Sequence, residues 1–170
     1  MRLAKYIRAI KDFPQKGILF RDITTLLNDA AAFSYSINKM ARIFKGKGVE
    51  IVAGIESRGF IFGSALAYKL KCGFVPLRKP GKLPAPVFKE SFRLEYGTDS
   101  LQMHRDAFRQ GARLIIVDDL LATGGTARAA LRLVKKLQAD VIGIAFVVEL
   151  KELKGREKIR KVPVYSLVEF

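Results

Sequence analysis

Apolar positions along the chain follow two alternating periods. Phe33, Ile37, Met40, Ala41 and Phe44 recur at i, i+4, i+7, i+8 and i+11, the spacing of one helical face, and Gly46 and Gly48 mark its end. Residues 51–55 (Ile-Val-Ala-Gly-Ile) then read as a buried strand. A second helix is predicted over 61–71 and a short strand over 74–77. Residues 113–117 and 141–148 are the clearest strands, β-branched and apolar on both faces, as a parallel sheet covered by helices requires. Between them Ala127, Ala130, Leu131, Val134 and Leu137 share one helical face, with Arg128, Arg132, Lys135 and Lys136 opposite. This is a βαβ unit, and the expected class is α/β: a central, mainly parallel sheet flanked by helices.

Residues 79–105 break the pattern. Three of the six prolines fall in 79–86, which reads as a loop. After it Leu94/Tyr96 and Leu101/Met103 alternate around residues 97–100, predicting a hairpin that hangs off the sheet. A long loop and hairpin of this kind commonly forms an active-site lid. No repeat, low-complexity tract or second domain interrupts the pattern, so one domain over 1–170 is expected.

Composition narrows the function. The apolar run 51–68 is broken by Glu56, Ser57 and Arg58, and 141–148 is far too short to span a bilayer, so no membrane association is expected. The charge-studded start does not resemble a secretory signal, and a cytoplasmic location is expected. The single cysteine, Cys72, reads as an inert, half-buried thiol, and one histidine, His104, rules out a two-histidine metal site. Lys and Arg number 31 against 16 Asp and Glu, a net charge of +15. Such a charge fits a nucleic-acid binder, an enzyme of anionic phosphate esters, or simply a basic proteome. The densest basic run, 151–161, reads as a solvated surface helix or loop.

The strongest local signal is residues 114–126, Leu-Ile-Ile-Val-Asp-Asp-Leu-Leu-Ala-Thr-Gly-Gly-Thr, directly before the 127–137 helix. A buried strand ending in two carboxylates places charge where open α/β sheets bind ligands. The turn that follows offers close backbone approach at Gly124 and Gly125, hydroxyls at Thr123 and Thr126, and free N–H groups at a helix start, which favour phosphate. Neither a Walker A pattern nor Gly-x-Gly-x-x-Gly is present. Two acids suited to ribose hydroxyls beside a phosphate cradle imply a sugar phosphate.

Residues 117–126 resemble the phosphoribosyl pyrophosphate (PRPP) motif of type I phosphoribosyltransferases, in the form seen in the adenine-specific family. Asp12-Phe13-Pro14 with residues 17–22, then 56–60, 78–84 and 94–97 are similar to that family's further segments, in its order, so the resemblance covers nearly the whole chain. It implies a type I phosphoribosyltransferase fold and a purine salvage reaction: adenine and PRPP to AMP and pyrophosphate, through an oxocarbenium-like transition state at ribose C1′. Mg²⁺ is implied as the cofactor, held mainly through PRPP with no protein metal site. A homodimer is implied as well.

By the same resemblance Asp118 and Asp119 hold the ribose hydroxyls, and Ala122, Thr123, Gly124, Gly125 and Thr126 bind the 5′-phosphate. Ser57, Arg58, Arg78, Lys79, Lys82 and His104 supply the pyrophosphate site. Leu19, Phe20, Arg21 and Arg58 form the adenine site, with Phe20 as stacking ring. Glu95 is the implied catalytic acid/base near the base. Ser57 belongs to a loop that in this family often holds a cis peptide. A PRPP-sensing regulator of nucleic acid on the same fold is the competing class. The charge leaves nucleic-acid binding open, but no helix-turn-helix extension supports it.

Overall fold

The computed structural model of the chain describes residues 1–93 and 97–170. Five parallel strands form its centre: β3 (Ile51–Ile55), β4 (Gly73–Leu77), β7 (Arg113–Leu121), β8 (Asp140–Glu149) and β9 (Val164–Glu169), in the order β4-β3-β7-β8-β9. Alternation along these strands divides the apolar side chains between two layers. Val52, Ile115, Val117, Ala145 and Val147 pack with the helices α1 (Thr24–Asn28), α2 (Ala30–Phe44) and α3 (Arg58–Leu70). Ala53, Ile55, Ile116, Ile144 and Phe146 pack on the other face with α4 (Gly125–Lys135). Both faces are covered, which is why the strands read as continuous apolar runs.

Local chemistry sets the helix limits. The Asp29 carboxylate accepts the Ala32 N–H at 2.8 Å and starts α2, which ends at Phe44 just before Gly46 in a left-handed conformation. In α4 the fully buried stripe is Ala127, Ala129, Ala130, Leu133 and Val134, so Leu133 joins the expected face, while Leu131 and Leu137 pack on the same core half-buried. The α3 helix starts at Arg58, ahead of the predicted start at 61. Its first turn contains Gly59, whose lack of a side chain conceals the periodicity. A Cβ there would lie 2.8 Å from the Val117 carbonyl oxygen, so glycine lets α3 begin hard against β7.

The hairpin is present but displaced from its expected register. The strand β5 (Val87–Arg93) pairs antiparallel with β6 (Thr98–His104), so the first arm starts at Val87 rather than near Leu94. Residues Leu94, Glu95 and Tyr96 lie outside the described residues. Paired backbone hydrogen bonds between Arg78 and Gln102, 2.9 and 2.7 Å, tie the hairpin to the end of β4. Its inner side chains Phe92, Leu101 and Met103 are buried in the α4 layer.

Two further features lie outside the hydrophobic pattern. A ribbon of β1 (Arg8–Lys11) and β2 (Leu19–Asp22) is mostly exposed, and β9 closes one sheet edge. The basic run 151–161 is a solvated surface segment, as expected: it folds into two 3₁₀ turns, Lys151–Leu153 and Gly155–Ile159, in which only Gly155 and Ile159 are buried and Arg156 is half-buried. Among the described residues no helix is long and apolar enough to cross a membrane. Cys72 is half-buried, and burial pushes its thiol pKa up.

Candidate active site

The crossovers change direction between the parallel strands β3 and β7. From β3 the chain crosses outward to β4, whereas from β7 it crosses the opposite way to β8, and ligands bind at such a switch point beyond the strands' C-terminal ends. The pairing of β3 with β7 ends at Gly54 and Val117, but β7 continues against β8 as far as Leu121 and Glu149. Asp118 and Asp119 therefore lie within the strand, on the stretch that β3 has left, rather than after its end. A cavity of about 520 Å³ opens there, lined by residues 55–58, Lys79 and 118–127.

Three segments build its walls. At the end of β3 a cis peptide joins Glu56 to Ser57, which precedes α3, and Arg58 is the helix's first residue. The Arg58 Nε lies 2.7 Å from Asp119 Oδ2, and its guanidinium is 5.7 Å from the Phe20 ring centre. Phe20 meets Phe13 edge to face with centres 5.0 Å apart. Opposite, residues 122–126 lead into α4. Gly124 takes a left-handed conformation, φ 78°, and no side chain caps the helix start, so the N–H groups of the first turn face the cavity mouth uncapped.

Electrostatics divide the carboxylates into two kinds. Burial pushes Asp118 upward in pKa, and the charge of Asp119 adds to the effect. Asp119 is also raised by burial, against the pull of Arg58. Glu56 behaves oppositely. Burial raises it, but its hydrogen bonds outweigh that cost and hold it at about 2, from an ordinary 4.5. Lys82 Nζ pairs with it, the Lys79 backbone N–H donates at 2.8 Å, and Arg78 Nε donates at 3.3 Å. Lys79 Nζ in turn pairs with Asp99 of the hairpin.

A family model for the phosphoribosyl transferase domain matches residues 21–168. Over 170 residues, covering 100% of both chains, the sequence is 56% identical to the adenine phosphoribosyltransferase of Brachyspira hyodysenteriae. The chain belongs to the adenine phosphoribosyltransferase family. Accordingly, it is a pentosyltransferase with the type I phosphoribosyltransferase fold. The crystal structure of adenine phosphoribosyltransferase from Thermoanaerobacter pseudethanolicus matches with a TM-score of 0.95 at 51% identity, over 99% of this chain and 98% of that one. The Saccharomyces cerevisiae enzyme, crystallised with an imino-altritol bisphosphate and adenine, matches with a TM-score of 0.92 at 40% identity, over 97% and 96%.

Against this family's site, the fold brings Ser57, Arg58, Lys79, Asp118, Asp119 and residues 122–126 around one cavity. Phe20 borders it through Arg58, and its strand neighbour Leu19 is 44% exposed. Arg21 departs from expectation. Neighbours on a strand face opposite sides, and its guanidinium lies 3.7 Å from the Phe170 ring centre instead of joining Phe20 and Arg58. Arg78 and Lys82 sit on Glu56 and do not line the cavity. His104 stands at the hairpin base opposite Val87, off the cavity wall, with Nε2 buried and lacking a hydrogen-bond partner. Glu95 lies outside the described residues. Sequence reasoning gave no role to Phe13, Glu56 or Asp99. Glu56 carried the available signal: an acid beside Ser57 in a segment otherwise devoted to binding anions.

Proposed function

We propose that this cavity transfers the 5-phosphoribosyl group of PRPP to adenine, giving AMP and pyrophosphate, with one domain over 1–170 carrying the reaction. The observation that supports it most directly is the meeting, at the switch point, of two carboxylates with an uncapped, glycine-turned helix start. The carboxylates suit the diol of a ribose and the helix start suits its 5′-phosphate, so the sugar is held at both ends.

In this reading Asp118 and Asp119 accept from the ribose hydroxyls, and residues 122–126 donate backbone and hydroxyl hydrogens to the 5′-phosphate. As the C1′–O bond to pyrophosphate breaks, positive charge develops on the ring. In this reading the Asp pair opposes it, while Arg58, Lys79 and the Ser57 loop take up charge on the leaving group. Adenine N9 then bonds to C1′ and loses its proton. Glu95 is the residue assigned to that proton, on resemblance alone. Phe20 offers the base a ring face, with Phe13 fixing its tilt.

Arg78 and Lys82 enter as a reserve of positive charge. Glu56 holds both close to the cavity, and PRPP's pyrophosphate competes for them. Arg21 and His104 carry no part of this mechanism. The site also suits magnesium brought by the substrate. Mg²⁺ commonly takes one or two carboxylates plus substrate phosphates, and Asp118 and Asp119 line this cavity. When bound, it neutralises pyrophosphate charge.

The proposal includes a homodimer in the cytoplasm. Tyr68, 87% exposed, and Ile61, 40% exposed, stand two turns apart on one face of α3, an apolar stripe that a second copy would cover. PRPP, a polyanion that does not cross membranes, is met inside the cell.

The test is AMP formation from radiolabelled adenine with PRPP and Mg²⁺, beside hypoxanthine, guanine and orotate, and repeated without metal. Adenine-selective, metal-dependent turnover is expected. No turnover with any base would refute the proposal and favour the PRPP-sensing regulator.

A further inference from the structure

We propose that Arg156 is a positioning residue for the phosphate loop, fixing through Gly155 the backbone of residues 122–124; the inference rests on that loop holding the 5′-phosphate of PRPP. The contact between loop and support is backbone on backbone. A Cβ on Gly124 would collide with the Gly155 carbonyl oxygen, and a Cβ on Gly155 would collide with the Ala122 carbonyl oxygen and lie 2.8 Å from Leu121 Cδ1. With no side chain between them to absorb a shift, displacement of Gly155 displaces the loop.

Gly155 is held by its neighbours in sequence. Lys154 takes a left-handed turn, φ 51°, and the chain enters from Leu150, whose N–H donates to the Leu121 carbonyl at 2.9 Å. On the other side Arg156 is gripped at all three guanidinium nitrogens. Nε and Nη2 donate to the two oxygens of Glu149, each at 2.6 Å, and Nη1 donates to the Val164 carbonyl at 2.8 Å. Ser166 Oγ donates to Glu149 Oε2 at 2.6 Å, which fixes the carboxylate as well. Glu169 Oε1 lies 3.7 Å from Nη2.

The anchor belongs to the sheet itself. Glu149 is 3% exposed on β8, directly paired with Leu121, the last residue of β7 before the loop. An ion pair with a buried partner is a weak source of net stability, because desolvation offsets much of the attraction. A fork-to-fork pair does impose direction. The 151–161 run thus contains one arginine spent on geometry, and the sequence alone could not separate it from its solvated neighbours.

Arg156→Ala is compared with Thr126→Ala, which alters the loop directly, and with Ile37→Ala, a core change in the opposite layer that serves as the control for a general loss of stability. KM is measured for PRPP at saturating adenine and for adenine at saturating PRPP. Arg156→Ala is expected to raise the PRPP KM at least tenfold and leave the adenine KM within twofold. Arg156→Lys should restore part of the loss, and Ile37→Ala should move neither constant. If Thr126→Ala raises the PRPP KM and Arg156→Ala does not, the positioning role is wrong while the loop reading stands. If neither raises it, the loop reading itself fails. Should Arg156→Ala not fold, Arg156→Lys carries the same comparison, with a PRPP KM equal to wild type overturning the proposal.

Discussion

Replacing Glu56 by glutamine removes the charge that gathers Arg78 and Lys82 beside the cavity while keeping the side chain's shape. A carboxyl held at about 2 instead of its ordinary 4.5 stabilises the folded state at neutral pH by about 3 kcal/mol, at about 1.4 kcal/mol per pKa unit. That figure is an upper bound. Arg78 and Lys82 are 32% and 47% exposed, so solvent screens them, and the amide oxygen of the Glu56→Gln protein would still accept the Lys79 N–H. A difference of about 1–2 kcal/mol remains. Because the folded pKa is depressed, this stabilisation is complete above the unfolded value of 4.5 and is lost as pH falls towards 2. Less than about half of it should survive near pH 3. Urea denaturation of both proteins, repeated at steps from neutral pH to about pH 3, measures the gap directly. A gap that stays constant across that range, or none at neutral pH, would show that the Glu56 cluster is not an electrostatic clasp.

The Asp118–Asp119 pair predicts the opposite sign. Burial raises Asp118, so its charged form costs stability at neutral pH, and that cost is relieved as pH falls through the raised folded value. Asp118→Asn should therefore raise Tm at neutral pH while lowering kcat/KM for PRPP by about tenfold or more, as loss of one charge-assisted hydrogen bond implies; a lower Tm would refute the burial argument. Glu95→Gln should lower kcat by about 10²-fold or more with little change in the adenine KM, and a change in KM alone would make Glu95 a binding residue. Phe20→Leu keeps a bulky apolar side chain but loses the aromatic face, raising the adenine KM by about two- to tenfold, with the PRPP KM unchanged in the same steady-state assay. With a net charge of +15, kcat/KM for PRPP should fall as NaCl rises from low to physiological ionic strength, and a flat profile would exclude electrostatic steering.

The family is legible in five short segments, because the residues that the resemblance assigns to phosphate and ribose lie in contiguous runs. Periodicity is equally sufficient for β3, β7, β8, α2 and α4, because the strands bury both faces, one in each apolar layer, and the helices bury one full face. It is silent on the β1–β2 ribbon, where the strand residues are largely exposed and no alternation exists to be read. The start of α3 is hidden by Gly59, whose value lies in its closeness to Val117 rather than in its own polarity.

What the sequence by itself determined is the class, the family and the glycine-rich turn before α4, since helix faces, buried strands and a short contiguous motif are all local. What only tertiary structure decided is the use of individual charges. Arg21 lies on Phe170, at the other end of the chain, Lys82 reaches Glu56, and Arg156 is locked to Glu149 on β8. A charged side chain looks alike in a sequence whether it meets water, a carboxylate or a substrate. Its partner is chosen by which strands the fold makes adjacent, and that choice separates the cations that line the cavity from those that hold it in shape.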